Sequence, residues 1–309
     1  ASDLAVALHH RGDITSPWML CTDADVVVPR DYFTALPEDK AKLSAALFPF
    51  VHTLEGNPSQ QQAMLSYESY LHYYMLGLRW AGSAYATHTI GSLFAIHAEH
   101  YAAVRGFPKR MAGEDFYLLN KLAKVAPVLP LQCGRIHIRG RLSDRVPFGT
   151  GAALGQIQVL GETDTPYTVY DPRVFLALRV WTAALQRFAE APDLNRLRAS
   201  TTTDIGLPEG LLTQCLEKMG AIEAAGKAME HSKPGRNLKR RLLEWNDAFR
   251  TLKLVHALRD SGLPSMPLNQ ALAQASFLNG YQPVSTQADL VFLRKQAEAM
   301  AGQPWGIDS

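Results

Sequence analysis

The chain has 309 residues, of which 47% are hydrophobic, and a formal net charge of +2. This length is enough for one large domain or two ordinary domains with packed cores. The balanced charge offers no broad basic field for nucleic acid, and no stretch approaches the ~20 apolar residues that span a bilayer. Three widely separated cysteines without metal-like spacing indicate reduced thiols. We therefore expect a cytoplasmic protein without a nucleic-acid partner or a transmembrane segment, with peripheral membrane association left open.

An apolar run at residues 18–20 leads into two carboxylates, Asp23 and Asp25, before an apolar sequence resumes. Apolar residues suit a buried strand and Asp does not, so the pattern predicts a strand that delivers both carboxylates at its end. Mg²⁺ commonly uses one or two carboxylates together with substrate phosphates. The pair is therefore a candidate site for a metal-bound diphosphate, and the alternative is a simple Asp-rich turn.

The segment that follows predicts one strand and one long helix. Residues 45–52 read as a strand in which Pro49 indicates an edge or a bulge, and residues 60–78 read as a helix. The tyrosines of this helix recur at spacings of three and four, at Tyr67, Tyr70, Tyr73 and Tyr74. Such spacing favours a core stripe over the lining of a ligand groove.

Two adjacent acids, Glu114 and Asp115, follow Gly113 and precede an apolar pattern with helical spacing. The pattern predicts that both acids lie in the first turn of a helix, where the helix dipole favours carboxylates. Helix capping is one explanation for the pair, and a chemical role in a cleft is the other.

Residues 135–139 alternate as a short strand and precede a glycine-rich loop that carries Arg141 and Arg145. The planar fork of arginine matches phosphate oxygens, and backbone amides of glycine-rich turns can cradle anions. The loop is therefore a candidate diphosphate contact. The alternative for Arg145 is a surface ion pair with Asp144, which would contribute little to stability.

From about residue 171 the pattern becomes helical and carries no catalytic motif. One amphipathic stretch begins at Val174, Leu178 and Trp181, and Thr286 with Asp289 predicts the start of a last helix. A second apolar stripe comprises Leu238, Leu242, Trp245, Phe249 and Leu252. The basic residues around 233–241 are interpreted as the solvated start of a helix, with contact to acidic lipid or to a polyanion as the minor alternative.

The order of these motifs resembles the family 2 glycosyltransferases of the GT-A fold. The matching segments, in chain order, are residues 23–25, 29–33, 91–96, 105–108 and 113–116. The resemblance implies an α/β, GT-A-like fold, in which a partial Rossmann-like mixed sheet is flanked by helices. It implies that residues 1–165 form a partial glycosyltransferase domain, the metal and acceptor half, and that residues 166–309 form a mainly α-helical C-terminal region.

The same resemblance implies roles for the site residues. Asp25 would coordinate Mg²⁺ or Mn²⁺ on a nucleotide-diphospho-sugar donor, Asp23 would help to hold the ribose and the metal, and His137 would be a further metal ligand, although a lone strand histidine is more often structural. Asp115 would be the catalytic base with Glu114 as its neighbour. Transfer to a hydroxyl acceptor would proceed with inversion.

Family members begin with a strand-helix-strand unit that binds the nucleotide base, whereas Asp23 lies near the start of this chain. We therefore expect a partial chain in which residues 4–10 are the last helix of that unit. A non-catalytic scaffold or binding subunit of the same fold is the alternative function. A metal-dependent phosphoryl-transfer enzyme ranks last because it leaves the acids at 114–115 unexplained. The C-terminal region is expected to shape the acceptor site, to form a homo-oligomer contact, or to do both.

Overall fold

The structure, a computed structural model, describes residues 1–38, 42–109, 113–140, 150–162, 165–202 and 206–307. The chain divides into two compact units. Unit 1 comprises Ala1–His72, Thr87–Thr165 and Ser285–Ser309, and unit 2 comprises Tyr73–Ala86 and Pro166–Val284.

Short strands and longer helices make up the described part of the chain. The strands are β1 (Trp18–Leu20), β2 (Ala45–Leu47), β3 (Phe50–Thr53), β4 (Phe94–His97), β5 (Val128–Pro130), β6 (Ile136–Arg139), β7 (Thr168–Val169) and β8 (Met266–Pro267). The helices up to residue 190 are α1 (Ser2–His10), α2 (Pro58–Trp80), α3 (Ala98–Ala103), α4 (Glu114–Leu122), α5 (Thr150–Glu162) and α6 (Arg173–Glu190). The later helices are α7 (Leu194–Ala199), α8 (Leu211–Lys218), α9 (Ala221–Glu230), α10 (Arg236–Trp245), α11 (Ala248–Ser261), α12 (Leu268–Gln274) and α13 (Thr286–Glu298).

The sheet of unit 1 is mixed and has the strand order β1-β4-β2-β5. The interior strand β4 pairs antiparallel with β1 and β2, and the other interior strand, β2, pairs parallel with β5. All four residues of β4 are buried, as expected for an interior strand. A second parallel pair joins β3 to β6, and the side chains of β6 alternate between buried and exposed. This alternation confirms the strand predicted at residues 135–139.

Aromatic and aliphatic side chains from the four-stranded sheet and from the β3–β6 pair form a core cluster in unit 1. The predicted strand at residues 45–52 is interrupted at Pro49, so β2 and β3 belong to different ladders. Proline cannot donate a ladder hydrogen bond, which explains the interruption. The buried core cluster includes Trp18, Phe48, Phe50, Leu93, Ile136 and Ile138.

Unit 2 is mainly helical, with β7 and β8 as one short antiparallel pair. Helix α6 buries the predicted residues Val174, Leu178 and Trp181, and the indole Nε1 of Trp181 donates to Asn246 Oδ1 at 3.1 Å. Helix α2 has residues in both units: Tyr67 of unit 1 and Tyr73 of unit 2 are buried. The Tyr73 hydroxyl donates a hydrogen bond to the carbonyl of Tyr170, also in unit 2.

The mixed α/β class and the helix-flanked sheet agree with the sequence prediction. Residues 285–309, which were predicted to be part of the C-terminal region, belong to unit 1, and residues 73–86 belong to unit 2. None of the described helices combines the length and the apolar character that crossing a bilayer requires.

Candidate active site

The segment after β1 places Asp23 beside the start of β4. The antiparallel register pairs Leu20 with Ala95, and the backbone N–H of Cys21 donates to the carbonyl of Phe94 at 2.9 Å. Continuing this register brings Asp23 to Ser92, whose hydroxyl donates to Asp23 Oδ2 at 2.5 Å. The pairing of β1 with β4 therefore sets the position of the first carboxylate.

Asp25 lies in a turn directly after Asp23 and is partly buried. Two residues later, Val27 and His137 exchange both backbone hydrogen bonds at 2.9 Å. The Asp-x-Asp segment is therefore anchored on both sides, to β4 before it and to β6 after it. It is a turn, as the alternative interpretation of the sequence also held, but a turn whose first carboxylate, that of Asp23, accepts a hydrogen bond from Ser92.

Asp115 reaches the same place from a different part of the chain. Gly113 precedes α4 with a φ of 74°, a left-handed conformation that glycine adopts without steric cost. Glu114 and Asp115 then occupy the first turn of the helix, as predicted. The Asp115 carboxylate packs against Gly91, because a Cβ atom added to Gly91 would lie 2.6 Å from Asp115 Oδ2.

The electrostatic environment raises the pKa of Asp115 to about 6. Burial is the largest cause, followed by the negative charges of Glu114 and Asp23. The influence of Asp23 on Asp115 indicates that the two acidic motifs, 92 positions apart in sequence, share one electrostatic site. A carboxylate with this pKa is ionised at neutral pH and is a stronger base than an ordinary aspartate.

Cys21 lies at the edge of this site with its thiol protonated. Burial and the nearby charge of Asp115 raise the pKa of Cys21 to about 12. A protonated thiol is a poor nucleophile and a poor metal ligand. The residue therefore contributes packing at the site and no thiolate chemistry at neutral pH.

Sequence reasoning gave no role to Gly91 and Ser92, although both lie in the segment that carries the family resemblance. Ser92 is fully buried and lies in the 3₁₀ turn Gly91–Leu93 before β4. Their contacts follow from the strand register and from the position of α4. The local sequence feature that marks this turn is a Gly-Ser pair before an apolar strand.

The donor set at residues 23–25 fits a hard divalent cation. Carboxylate oxygens suit Mg²⁺ and Mn²⁺, and Mg²⁺ needs few protein ligands when substrate phosphates complete its shell. Across the described ranges, three or more histidine, cysteine, aspartate or glutamate side chains do not gather into a metal-binding cluster. Among the described residues, a cation at this turn would therefore have at most two of these side chains as ligands.

Of the three remaining predicted site residues, the structure describes His137 but neither of the two arginines. His137 is an exposed residue of β6, and its backbone is hydrogen-bonded to Val27. Arg141 and Arg145 fall within residues 141–149, outside the described residues.

Comparison with known proteins gave no match to a family model, to a curated protein or to a solved structure. The functional interpretation therefore rests on the residues and the geometry of the chain itself.

Proposed function

We propose that this protein is a glycosyltransferase with a GT-A-like fold, which transfers a sugar from a nucleotide-diphospho-sugar donor to a hydroxyl acceptor. The convergence of Asp23 and Asp115 beside Gly91 and Ser92 is the observation that carries the proposal. A transferase of this kind needs a cation, held by a carboxylate, to stabilise the leaving diphosphate, and it needs a base near the acceptor. Two acidic motifs from distant parts of the chain meet that need.

Asp115 is proposed as the general base. Its carboxylate would take the proton from the acceptor hydroxyl as the oxygen attacks the anomeric carbon, with the bond to the diphosphate breaking on the opposite face. This attack inverts the anomeric configuration. The raised pKa of Asp115 supports the role because a base works best when its pKa lies near the working pH.

Asp25 and Asp23 are proposed to hold Mg²⁺ or Mn²⁺ with the donor diphosphate, and His137 is proposed as a further ligand. When bound, the cation would stabilise the negative charge that develops on the leaving diphosphate. Ser92 is a positioning residue in this proposal, because its hydroxyl hydrogen bond fixes the orientation of Asp23. Arg141 and Arg145 are proposed diphosphate contacts.

Calorimetric titration with UDP and GDP, each with and without Mn²⁺, tests the proposal. We expect one nucleotide to bind in a metal-dependent manner, and we expect Asp25→Ala to abolish that binding. Asp13→Ala is the matched control, because Asp13 is an exposed aspartate that pairs with Arg11 at 2.9 Å. Failure of both nucleotides to bind in the presence of Mn²⁺ would mean that this chain is a scaffold or carries an incomplete donor site, and it would reject transferase activity of the chain by itself.

A further inference from the structure

A pocket of about 520 Å³ lies within unit 2, where the junction of α8 and α9 faces α10 and α11. Its volume falls within the roughly 300–1,000 Å³ range of small-molecule sites. Met219, Ala224 and Ala228 supply an apolar surface, and the half-buried ring of Trp245 lies beside them. The pocket can therefore accommodate the organic part of a ligand.

The charged residues of the pocket are mainly cationic. Lys227 of α9, Arg241 of α10 and Arg250 of α11 all line it. The acidic lining residue is Glu223, which lies 2.6 Å from Lys227 in an exposed ion pair. Three cations from three helices therefore face one carboxylate, and the excess positive charge favours an anionic ligand.

Arg250 is held in place before any ligand binds. Its guanidinium carbon lies 4.6 Å from the centre of the Trp245 ring, and its Nη1 donates to the Trp245 carbonyl at 2.9 Å. The backbone N–H of Arg250 also donates to Asp247, the N-cap of α11. A guanidinium fixed in this way loses little conformational entropy on binding and retains further N–H donors.

Arg241 differs from its neighbour Arg240 on the same helix. Arg240 is bound by Glu244 at 3.0 Å, as expected for a solvated helix face. Arg241 lines the pocket and forms no ion pair with any other residue that the structure describes. Within the basic stretch around residues 233–241, Arg240 therefore lies in an ion pair on the helix surface, whereas Arg241 lines the pocket.

From this arrangement we propose that the pocket binds a phosphate monoester, with the phosphate between Arg241 and Arg250 and the organic group against Trp245. A phosphate monoester carries a charge of about −1.5 to −2 at neutral pH and offers three oxygens, which matches several convergent cations better than a single carboxylate does. The proposal is independent of the proposed transferase activity, since all of these residues lie in unit 2.

Phenyl phosphate is a suitable probe because it combines a phosphate monoester with a planar ring and lacks a nucleoside. Calorimetric titration of the full chain in the presence of EDTA excludes metal-dependent binding elsewhere. We expect phenyl phosphate to bind more tightly than phenol or inorganic phosphate. We expect Arg241→Ala to weaken binding about tenfold, the loss of one charge-assisted hydrogen bond, and Arg240→Ala to change it less than about twofold. Equal effects of the two substitutions would overturn the assignment of the pocket.

The phosphate monoester could be a free metabolite or a lipid headgroup. Sedimentation with phosphatidylcholine vesicles, with and without phosphatidic acid, separates these sources. Binding of phosphatidic acid vesicles that requires Arg241, without binding of phenyl phosphate, would support the site and assign it to a membrane surface. Binding of neither phenyl phosphate nor phosphatidic acid vesicles would overturn the proposal.

Discussion

The Asp115 carboxyl combines a position beside the Asp-x-Asp segment with a pKa raised to about 6. Asp115→Asn keeps the shape of the side chain and removes its ability to accept a proton. We expect sugar transfer to fall by about 10²-fold or more, the usual contribution of a general base. Metal-dependent binding of the donor nucleotide should persist, because the proposed metal ligands are unchanged.

Initial rates of nucleotide release from the donor selected by titration, measured with candidate acceptors, would provide the readout for Asp115→Asn. Asp13→Asn is the control for a general effect of removing one carboxylate. Unchanged rates in Asp115→Asn would remove this residue as the base.

A second cluster of buried polar residues in unit 1 lies around Glu68, whose side chain is 1% exposed. His52 donates to Glu68 Oε2 from both its backbone nitrogen and Nδ1, at 2.8 and 3.0 Å. Arg294 donates to Oε1 at 2.6 Å. His72 Nε2 lies 3.4 Å from Oε1, and the ring of His88 packs edge-on to the ring of His72. Glu68 is thus a buried anion that is held by groups from β3, α2 and α13.

Acid should destabilise the protein through this cluster. Burial lowers the pKa of His72 below the ordinary value of 6.5 and lowers that of His88 further. Both rings therefore stay neutral in the folded state to a lower pH than in the unfolded chain, which takes up protons below about pH 6.5. Stability should fall as the pH drops below that value, by up to about 1.4 kcal/mol per pH unit for each ring.

Urea unfolding at pH 7.5, 6.5 and 5.5 measures this loss. The pKa of Glu68 is held well below its ordinary range by His52, His72 and Arg294 despite burial, so its stabilisation is lost only at lower pH, below about 4.5. His72→Phe keeps an aromatic ring stacked on Phe50 and should reduce the slope, whereas the exposed His10→Gln should not. A slope that is identical in wild type and His72→Phe would contradict the explanation.

At the scale of elements, the turn Gly91–Leu93 packs closely against Asp115 at the start of α4, because Gly91 has no side chain. Gly91→Ala introduces a Cβ 2.6 Å from Asp115 Oδ2, which forces the carboxylate to move. We expect transfer to fall at least about tenfold, because small displacements of a catalytic group are costly. Gly155→Ala in α5 is the control, since among the described residues no atom outside the local helix backbone and the adjacent residues lies within 4 Å of its added Cβ.

Activity assays together with thermal unfolding distinguish the two explanations for a Gly91→Ala defect. A loss of transfer with an unchanged melting temperature supports displacement of Asp115. Full activity in Gly91→Ala would mean that the Asp115 carboxylate is not needed at its present position.

Local sequence patterns predicted the strands and helices whose formation depends mainly on their own residues. The apolar run at residues 18–20 and the helical spacing after Gly113 predicted β1 and α4. The stripe from Leu238 to Leu252 was wrong as a single helix face, because Asp247 accepts a hydrogen bond from the N–H of Arg250 and begins a new helix. The buried face of α11 comprises Thr251, Leu254, Val255 and Leu258.

At the scale of the whole molecule, contacts between distant segments could not be predicted from local pattern. The last helix was predicted near Thr286, and Ser285 is its N-cap. This helix and the residues after it belong to unit 1, where Arg294 binds Glu68 and Trp305 pairs with Val128. No local sequence pattern predicts these contacts. The contacts of Ser92 with Asp23 and of Gly91 with Asp115 are of the same kind. Motif order indicated that these segments share a site, but side-chain placement required the fold.

Because the chain divides into two units, a mutation in the core of unit 2 can lower stability while leaving the proposed site residues of unit 1 unchanged. Leu178 of α6 is 3% exposed and belongs to unit 2, whereas Asp23, Asp25 and Asp115 belong to unit 1. We expect Leu178→Ala to destabilise the protein by about 2–5 kcal/mol through loss of buried surface and formation of a cavity. Metal-dependent nucleotide binding, measured well below the unfolding transition, should be unchanged.

Leu118→Ala in α4, which carries Asp115, is the contrasting variant and should also impair transfer. If Leu178→Ala remained folded by circular dichroism but lost nucleotide binding, then unit 2 would have to contribute to the donor site, and the assignment of that site to unit 1 residues would be incomplete.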